Sequence, residues 1–265
     1  MSRTYVITGA ASGIGLKTKE LLEAEGHKVI GVDLKGADVN ADLSTSEGRK
    51  EAAKMATEHA GGTVDAVIAC AGLAHAIPLT VAVNYFGVTE FLEAMQPALA
   101  KSKSPRVAVT SSMASLMPND KSLTEAMCVN DDEKAALARA KELVDAADGT
   151  DQLIYGSTKR AVSRWIRRES IKPNWAGKGI ALNAVGPGVV QTPMTKDLIA
   201  TVEAKKQMLE MVPMPLNGLM NPEDVAQLLM WLTSEVNGHM TGQTIYIDGG
   251  SDASLRGDNI WDLAK

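Results

Sequence analysis

Tyr155 and Lys159 stand four positions apart in the stretch QLIYGSTKRAVSRW. Residues at that spacing lie on one face of a helix, which brings an ammonium toward a phenol. A neighbouring cation favours phenolate and pulls a tyrosine down from about 10. A phenol tuned in that way is a general acid or base near neutral pH. A surface tyrosine beside a solvated lysine is the alternative on these five residues alone, so the elements that would position the pair have to decide.

Those elements begin with a short apolar strand, TYVITG at 4–9, that runs into a glycine-rich turn and then a helix over 13–26. Gly9, Gly13 and Gly15 carry no Cβ, so backbone N–H groups and a helix N-terminus can approach a pyrophosphate. The spacing G-x-x-x-G-x-G differs from G-x-G-x-x-G, and it is its place between strand and helix that carries the phosphate reading. Asp33 ends the second strand, HKVIGVD. A carboxylate there accepts from both hydroxyls of an adenine ribose and repels a 2′-phosphate, which favours NAD over NADP. Lys17 and Lys35 are the rival groups for a 2′-phosphate and read as solvated surface lysines.

Further strands are VDAVIACAG at 64–72, RVAVTSS at 106–112, GIALNAVG at 179–186 and QTIYIDGG at 243–250. The helices between them are expected at about 83–101, from about 155, and over VAQLLMWLTSE, whose start reads as Asn221 N-cap, Pro222 and two acids. Ser44 with Glu47 is expected to form a capping box for a helix reaching His59. Strands alternating with helices imply an α/β chain with one doubly wound, Rossmann-like parallel sheet, helices on both faces and a single domain over 1–265.

The chain has 265 residues, a net charge of −5, 45% hydrophobic and 22% charged residues. This is ordinary for a globular domain and argues against a nucleic-acid partner, which calls for a clustered basic face. Two cysteines, Cys70 and Cys128, make no disulfide framework, and with no apolar leader before the first strand a cytoplasmic location is expected. The stretch 66–89 lacks Asp, Glu, Lys and Arg, yet Gly72, His75, Pro78, Asn84 and Gly87 interrupt it. A buried strand, loop and helix start account for it, and no membrane association is expected. The four histidines, His27, His59, His75 and His239, are scattered, so no metal site is expected.

With TGAASGIG at 8–15, CAG at 70–72, VNYFG at 83–87, VTSS at 109–112, YGSTK at 155–159 and PGVVQTP at 187–193, nearly the whole chain resembles the short-chain dehydrogenase/reductase family. GVDLKGADVNADLSTSEGRK, CAGL, VNYFG and IDGGSDA are similar to the bacterial 3α-hydroxysteroid dehydrogenase/carbonyl reductase subgroup. The resemblance implies a catalytic set of Asn84, Ser112, Tyr155 and Lys159. Tyr155 would exchange the proton with a secondary alcohol or ketone, and Ser112 would hold the substrate oxygen, with Ser111 its competitor for that role. Lys159 would bind the nicotinamide ribose, and Asn84 would support a water path. For the cofactor, the resemblance implies Gly9, Ser12, Gly13, Ile14 and Gly15 at the phosphates, Asp33 at the ribose, Asp42 and Leu43 at the adenine edge, Cys70, Ala71 and Gly72 beneath the ribose, and Val190 and Thr192 at the carboxamide.

The implied activity is an NAD-dependent alcohol dehydrogenase or carbonyl reductase; a dehydrogenase for aromatic alcohols and a non-catalytic NAD(H)-binding regulator of the same fold are the alternatives. Two departures from the family pattern stand out. Cys70 replaces the usual asparagine, at the cost of a side-chain hydrogen bond, and reads as a small buried residue rather than a nucleophile. Ser112 and Tyr155 are unusually far apart because of an insertion over about 113–150. Within it Leu137, Ala140 and Val144 recur at helical spacing, so an amphipathic helix is expected to cover the helix-pairing face and to leave a homodimer through about 225–248 favoured over a tetramer. A cofactor half over about 1–110 and a substrate lid over about 192–220 complete the expected layout. Met194, Met208, Met211 and Met214 fall in or near the lid, as core or as a broad apolar pocket wall.

Overall fold

A computed structural model describes residues 2–260. The chain alternates strand and helix: β1 (Thr4–Thr8), α1 (Gly13–Ala24), β2 (Lys28–Asp33), β3 (Val39–Asn40), α2 (Ser46–Ala60), β4 (Ala66–Ala69), α3 (Pro78–Val81), a π-helical turn (Ala82–Phe86), α4 (Gly87–Leu99) and β5 (Arg106–Thr110). It continues through α5 (Lys121–Cys128), α6 (Glu133–Asp145), α7 (Leu153–Glu169), β6 (Ala181–Pro187), α8 (Val202–Met211), α9 (Pro222–Thr233), β7 (Thr244–Ile247) and α10 (Ser251–Arg256). The strands form one parallel sheet in the order β3-β2-β1-β4-β5-β6-β7. The chain reverses direction across the sheet between β1 and β4, and in open α/β sheets the crevice outside the strand ends at that point is where ligands sit.

Central strands are buried on both faces, which is why they read as continuous apolar runs: Val6, Ile7, Val67, Ile68, Val107 and Ala108 are each 0% exposed. On one face α1 packs on α9; on the other α2, α4 and α7 bury a larger core. Among the described residues no helix is long and apolar enough to cross a membrane.

Four local expectations need correction. The cap of α2 is Thr45, not Ser44: its hydroxyl accepts from the Gly48 N–H at 3.1 Å, while Ser44 N–H bonds the Asp42 carboxylate at 2.9 Å. Helix expected from about 83 begins at Pro78, whose ring suits a first turn, and passes through a π-turn before α4. The short edge strand β3 lies in a segment with no strand-like pattern and is recruited by pairing with Val32 and Asp33. The insertion holds two helices rather than one. Leu123 and Met127 of α5 are wholly buried, and the buried stripe of α6 is Ala136, Ala140 and Leu143, with Leu137 and Val144 only flanking it. Both helices share the larger core, α5 on α7 and α6 on α3 and the π-turn. At α9 the expectation holds, the Asn221 N–H donating to the Asp224 carboxylate at 2.7 Å.

Candidate active site

A cleft of about 440 Å³ opens at the carboxyl ends of the strands. Its floor is the turn after β1. Gly9 has φ +71°, and a Cβ there would lie 2.7 Å from the Ala71 nitrogen; a Cβ on Gly15 would lie 2.2 Å from the Gly9 carbonyl oxygen. The first turn of α1 therefore sits against the backbone after β1 at a distance only glycine permits. Ser12, Gly13, Ile14 and Gly15 line the cleft, and α1 carries no acid in its first turn to oppose an anion.

Asp33 stands where β2 ends. Its carboxylate accepts from the Ala11 N–H at 2.9 Å and the Leu34 N–H at 2.7 Å, so both oxygens are held at the cleft wall. Lys17 and Lys35 do not line the cleft; Lys17 pairs with Glu20 at 2.6 Å. Asp42 and Leu43 form the next stretch of wall. Ser44 hydrogen bonds hold the Asp42 carboxyl below its usual range, with Arg49 adding to the effect.

Cys70, Ala71 and Gly72 follow β4. Burial pushes the Cys70 thiol up to about 11, and its sulfur accepts from the Thr110 hydroxyl at 3.1 Å. The sulfur thus keeps one side-chain hydrogen bond at this position, and a thiol so protonated is a poor nucleophile. A Cβ on Gly72 would meet Asn84 Oδ1 at 3.2 Å and Lys159 Nζ at 3.6 Å. Asn84 itself lies behind that turn, wholly buried. Its Oδ1 accepts from the Leu73 N–H at 2.7 Å, and its amide donates to the Leu73 carbonyl and the Thr158 hydroxyl at 2.9 and 3.2 Å. The π-turn that carries Asn84 aims it inward.

From β5 and α7 come the remaining groups. Ser111 and Ser112 face opposite ways. The Ser111 hydroxyl is buried against Ser163 at 2.8 Å and the Lys159 carbonyl at 3.2 Å. The Ser112 hydroxyl accepts from the Ala114 N–H at 3.1 Å and faces the Tyr155 phenol. Lys159 Nζ lies 5.7 Å from the Tyr155 ring centre and donates to the Thr110 carbonyl at 2.9 Å. The expected fall of the phenol does not appear. Burial pushes Tyr155 up, the Ser112 hydroxyl opposing it, and burial pulls Lys159 down to about 8. Desolvation is the largest cause at both groups, and it acts on them in opposite directions because the phenol is neutral and the lysine charged when protonated.

Val190 and Thr192 close the far end. Of the four methionines only Met194 lines the cleft. Met214 is 5% exposed and its sulfur accepts from the Val189 N–H at 3.3 Å, Met208 packs on the core, and Met211 is exposed. The sequence reading missed Leu34, Ala41 and Ser44 at one end and Leu73 and Leu79 at the other. Leu34 was legible as the residue after the acid at a strand end; the leucines carried no signal apart from hydrophobicity. No cluster of His, Cys, Asp or Glu suited to a metal occurs among the described residues.

The short chain dehydrogenase family model matches residues 3–123, and the enoyl-(acyl carrier protein) reductase model matches residues 143–252. The chain is 35% identical over 257 residues to 3-alpha-hydroxysteroid dehydrogenase/carbonyl reductase of Comamonas testosteroni, covering 95% of this chain and 97% of that one. It belongs to the short-chain dehydrogenase/reductase family of oxidoreductases. The crystal structure of the 3-alpha-hydroxysteroid dehydrogenase from Pseudomonas sp. B-0831 complexed with NADH superposes with a TM-score of 0.87 at 36% identity, covering 96% of this chain and 99% of that one. Levodione reductase, at 22% identity and a TM-score of 0.75, shares the fold.

Proposed function

We propose that the protein is an NAD-dependent oxidoreductase that interconverts a secondary alcohol and a ketone, with Tyr155 as general acid and base. The observation that carries this reading is the meeting of two halves in one cleft: the glycine turn and the Asp33 carboxylate at one end, Ser112, Tyr155 and Lys159 at the other. A dinucleotide fits these residues. The Gly9–Gly15 contact leaves backbone N–H groups and the α1 N-terminus facing a pyrophosphate, and Asp33 suits an unphosphorylated ribose. Bound there, NAD supplies or accepts the hydride.

The chain supplies orientation and the proton. A buried phenol pushed above 10 is fully protonated at neutral pH, so Tyr155 donates to a carbonyl oxygen as that oxygen gains charge. Ser112 donates a second hydrogen bond to the same oxygen, and this bond strengthens in the transition state. Lys159, near 8, is mostly charged at pH 7. Its ammonium, fixed by Thr110, stabilises phenolate as the proton leaves and restores the expected Tyr–Lys coupling at the moment it is needed. Asn84 holds Leu73 and Thr158 and so fixes the α7 turn carrying both groups. Replacing Tyr155 with Phe lowers turnover by about 10² to 10⁴ while NADH binding stays near wild type. More than about a tenth of wild-type turnover would refute the role. Wild-type NADH binding without turnover on any alcohol or ketone tried would favour a regulator.

The likeness to steroid and carbonyl-reducing relatives supports ketones and alcohols as the substrate class. A homodimer through α9 and β7 is supported by α5 lying on α7, and by Trp231 and Val236, 43% and 78% exposed on or just after α9. Light scattering of the native protein gives twice 28.0 kDa on this reading, and a clean tetramer refutes it.

A further inference from the structure

The outer wall of the cleft beside Asp33 is the loop Asp42, Leu43 and Ser44, and α2 meets each of its carbonyl oxygens. A Cβ on Gly48 would lie 1.9 Å from the Asp42 oxygen. Arg49 Nε donates to the Leu43 oxygen at 2.8 Å, and Nη2 donates to the Ser44 oxygen at 2.9 Å and to Ala82, the first residue of the π-turn, at 3.1 Å. The Arg49 side chain is 0% exposed and lies on the buried face of α2 with Ala52, Ala53 and Ala56, the one charged residue among them.

A buried guanidinium needs carboxylates, and two reach it from distant parts of the chain. Glu90 of α4 accepts from Nη1 at 3.0 Å. Glu133, the first residue of α6, takes both arms of the fork at 2.8 and 2.7 Å. Glu90 is shared with Ser46 and Lys50, whereas Glu133 is the bidentate partner. One side chain thus links the insertion, the π-turn and two carbonyls of the cleft wall, with a planar fork that lysine could not copy.

We infer that Arg49 is a positioning residue for the adenine half of the cofactor, and that Glu133 makes the insertion a determinant of cofactor affinity through it. This rests on the NAD reading above. Removing Glu133 leaves a buried cation with one shared carboxylate; water or rotation relieves it, and the grip on Leu43 and Ser44 loosens. The nicotinamide end, built on β5 and α7, meets this network only through the π-turn, where Asn84 bonds Thr158, and none of Ser112, Tyr155 and Lys159 bonds Arg49 or Glu133.

The test is titration of the intact protein with ADP-ribose and, separately, with reduced nicotinamide mononucleotide. Glu133→Ala weakens ADP-ribose binding at least fivefold, Glu133→Gln weakens it less, and the mononucleotide constant stays within twofold. Arg139→Ala is the control, because it breaks the Arg139–Asp120 pair at 2.8 Å, which also ties the insertion but does not touch the cleft wall. That variant melts earlier and keeps wild-type ADP-ribose affinity. Wild-type affinity in Glu133→Ala, or an equal loss in Arg139→Ala, would overturn the inference. Hydrogen exchange separates this from the cofactor reading. With no ligand present, amides over 42–45 exchange faster in Glu133→Ala and unchanged in Arg139→Ala; unaltered exchange in Glu133→Ala overturns the inference even if NADH binds. A wild-type protein that binds no ADP-ribose but shows the exchange difference overturns the cofactor reading, and with it the positioning role.

Discussion

Lys159 is 6% exposed and its ammonium is held by a backbone carbonyl, so the folded chain carries a buried cation whose pKa falls from 10.5 to about 8. The sign of the consequence follows from which state binds more protons. Below about pH 8 the lysine is charged in both states, and the native protein bears the whole burial penalty. Between about 8 and 10.5 the unfolded chain keeps a proton that the folded chain has released, so wild-type stability from this group rises with pH. At 1.36 kcal/mol per pH unit, the full window amounts to about 3 kcal/mol. Lys159→Met has no such group. Urea unfolding of both proteins at pH 7 and pH 10 should show wild type gaining about 2 to 3 kcal/mol on the variant over that interval, other titrations cancelling in the difference. The variant should fold and yet turn over at most about a hundredth as fast. A stability difference that stays flat, or that moves against wild type as pH rises, would refute the claim that the ammonium is buried at a cost.

NADH should exceed NADPH in kcat/KM at least tenfold, about 1.4 kcal/mol, and Asp33→Ala should erase most of that gap by removing the charge that would face a 2′-phosphate; equal use of both cofactors by wild type sinks the assignment. Gly15→Ala places a methyl 2.2 Å from the Gly9 oxygen, so calorimetry should show NADH binding lost or weakened more than a hundredfold; near-normal affinity would mean that the α1 turn is free to shift.

Much of the site was legible because its chemistry is local. Glycines at 9, 13 and 15 announce a close backbone approach, and an acid at the end of β2 places a carboxylate at the cleft wall. Both inferences need only neighbours in sequence. Between Ser111 and Ser112 the family resemblance favours the second, and in the structure the Ser111 hydroxyl is taken up by Ser163 and the Lys159 carbonyl of α7 while Ser112 faces Tyr155, a difference that only the packing of α7 makes. Thr45 and Ser44 differ as caps by one position, which propensity alone does not resolve. The π-turn before α4 has no periodic signature at all, yet it aims Asn84 behind the Gly72 turn.

By itself the sequence determined the α/β alternation, the parallel sheet and the tight glycine turn, and it singled out the tyrosine, serine and lysine that line the cleft, because hydrophobic periodicity, glycine spacing and ordered motifs are properties of short segments. Tertiary structure alone decided the electrostatics. Spacing predicted a depressed Tyr155, but burial raises the phenol and lowers Lys159, since desolvation depends on everything packed around a group and not on what lies four residues away. Arg49 reads as one more charge on a solvated helix until Glu90 and Glu133, far along the chain, close over it.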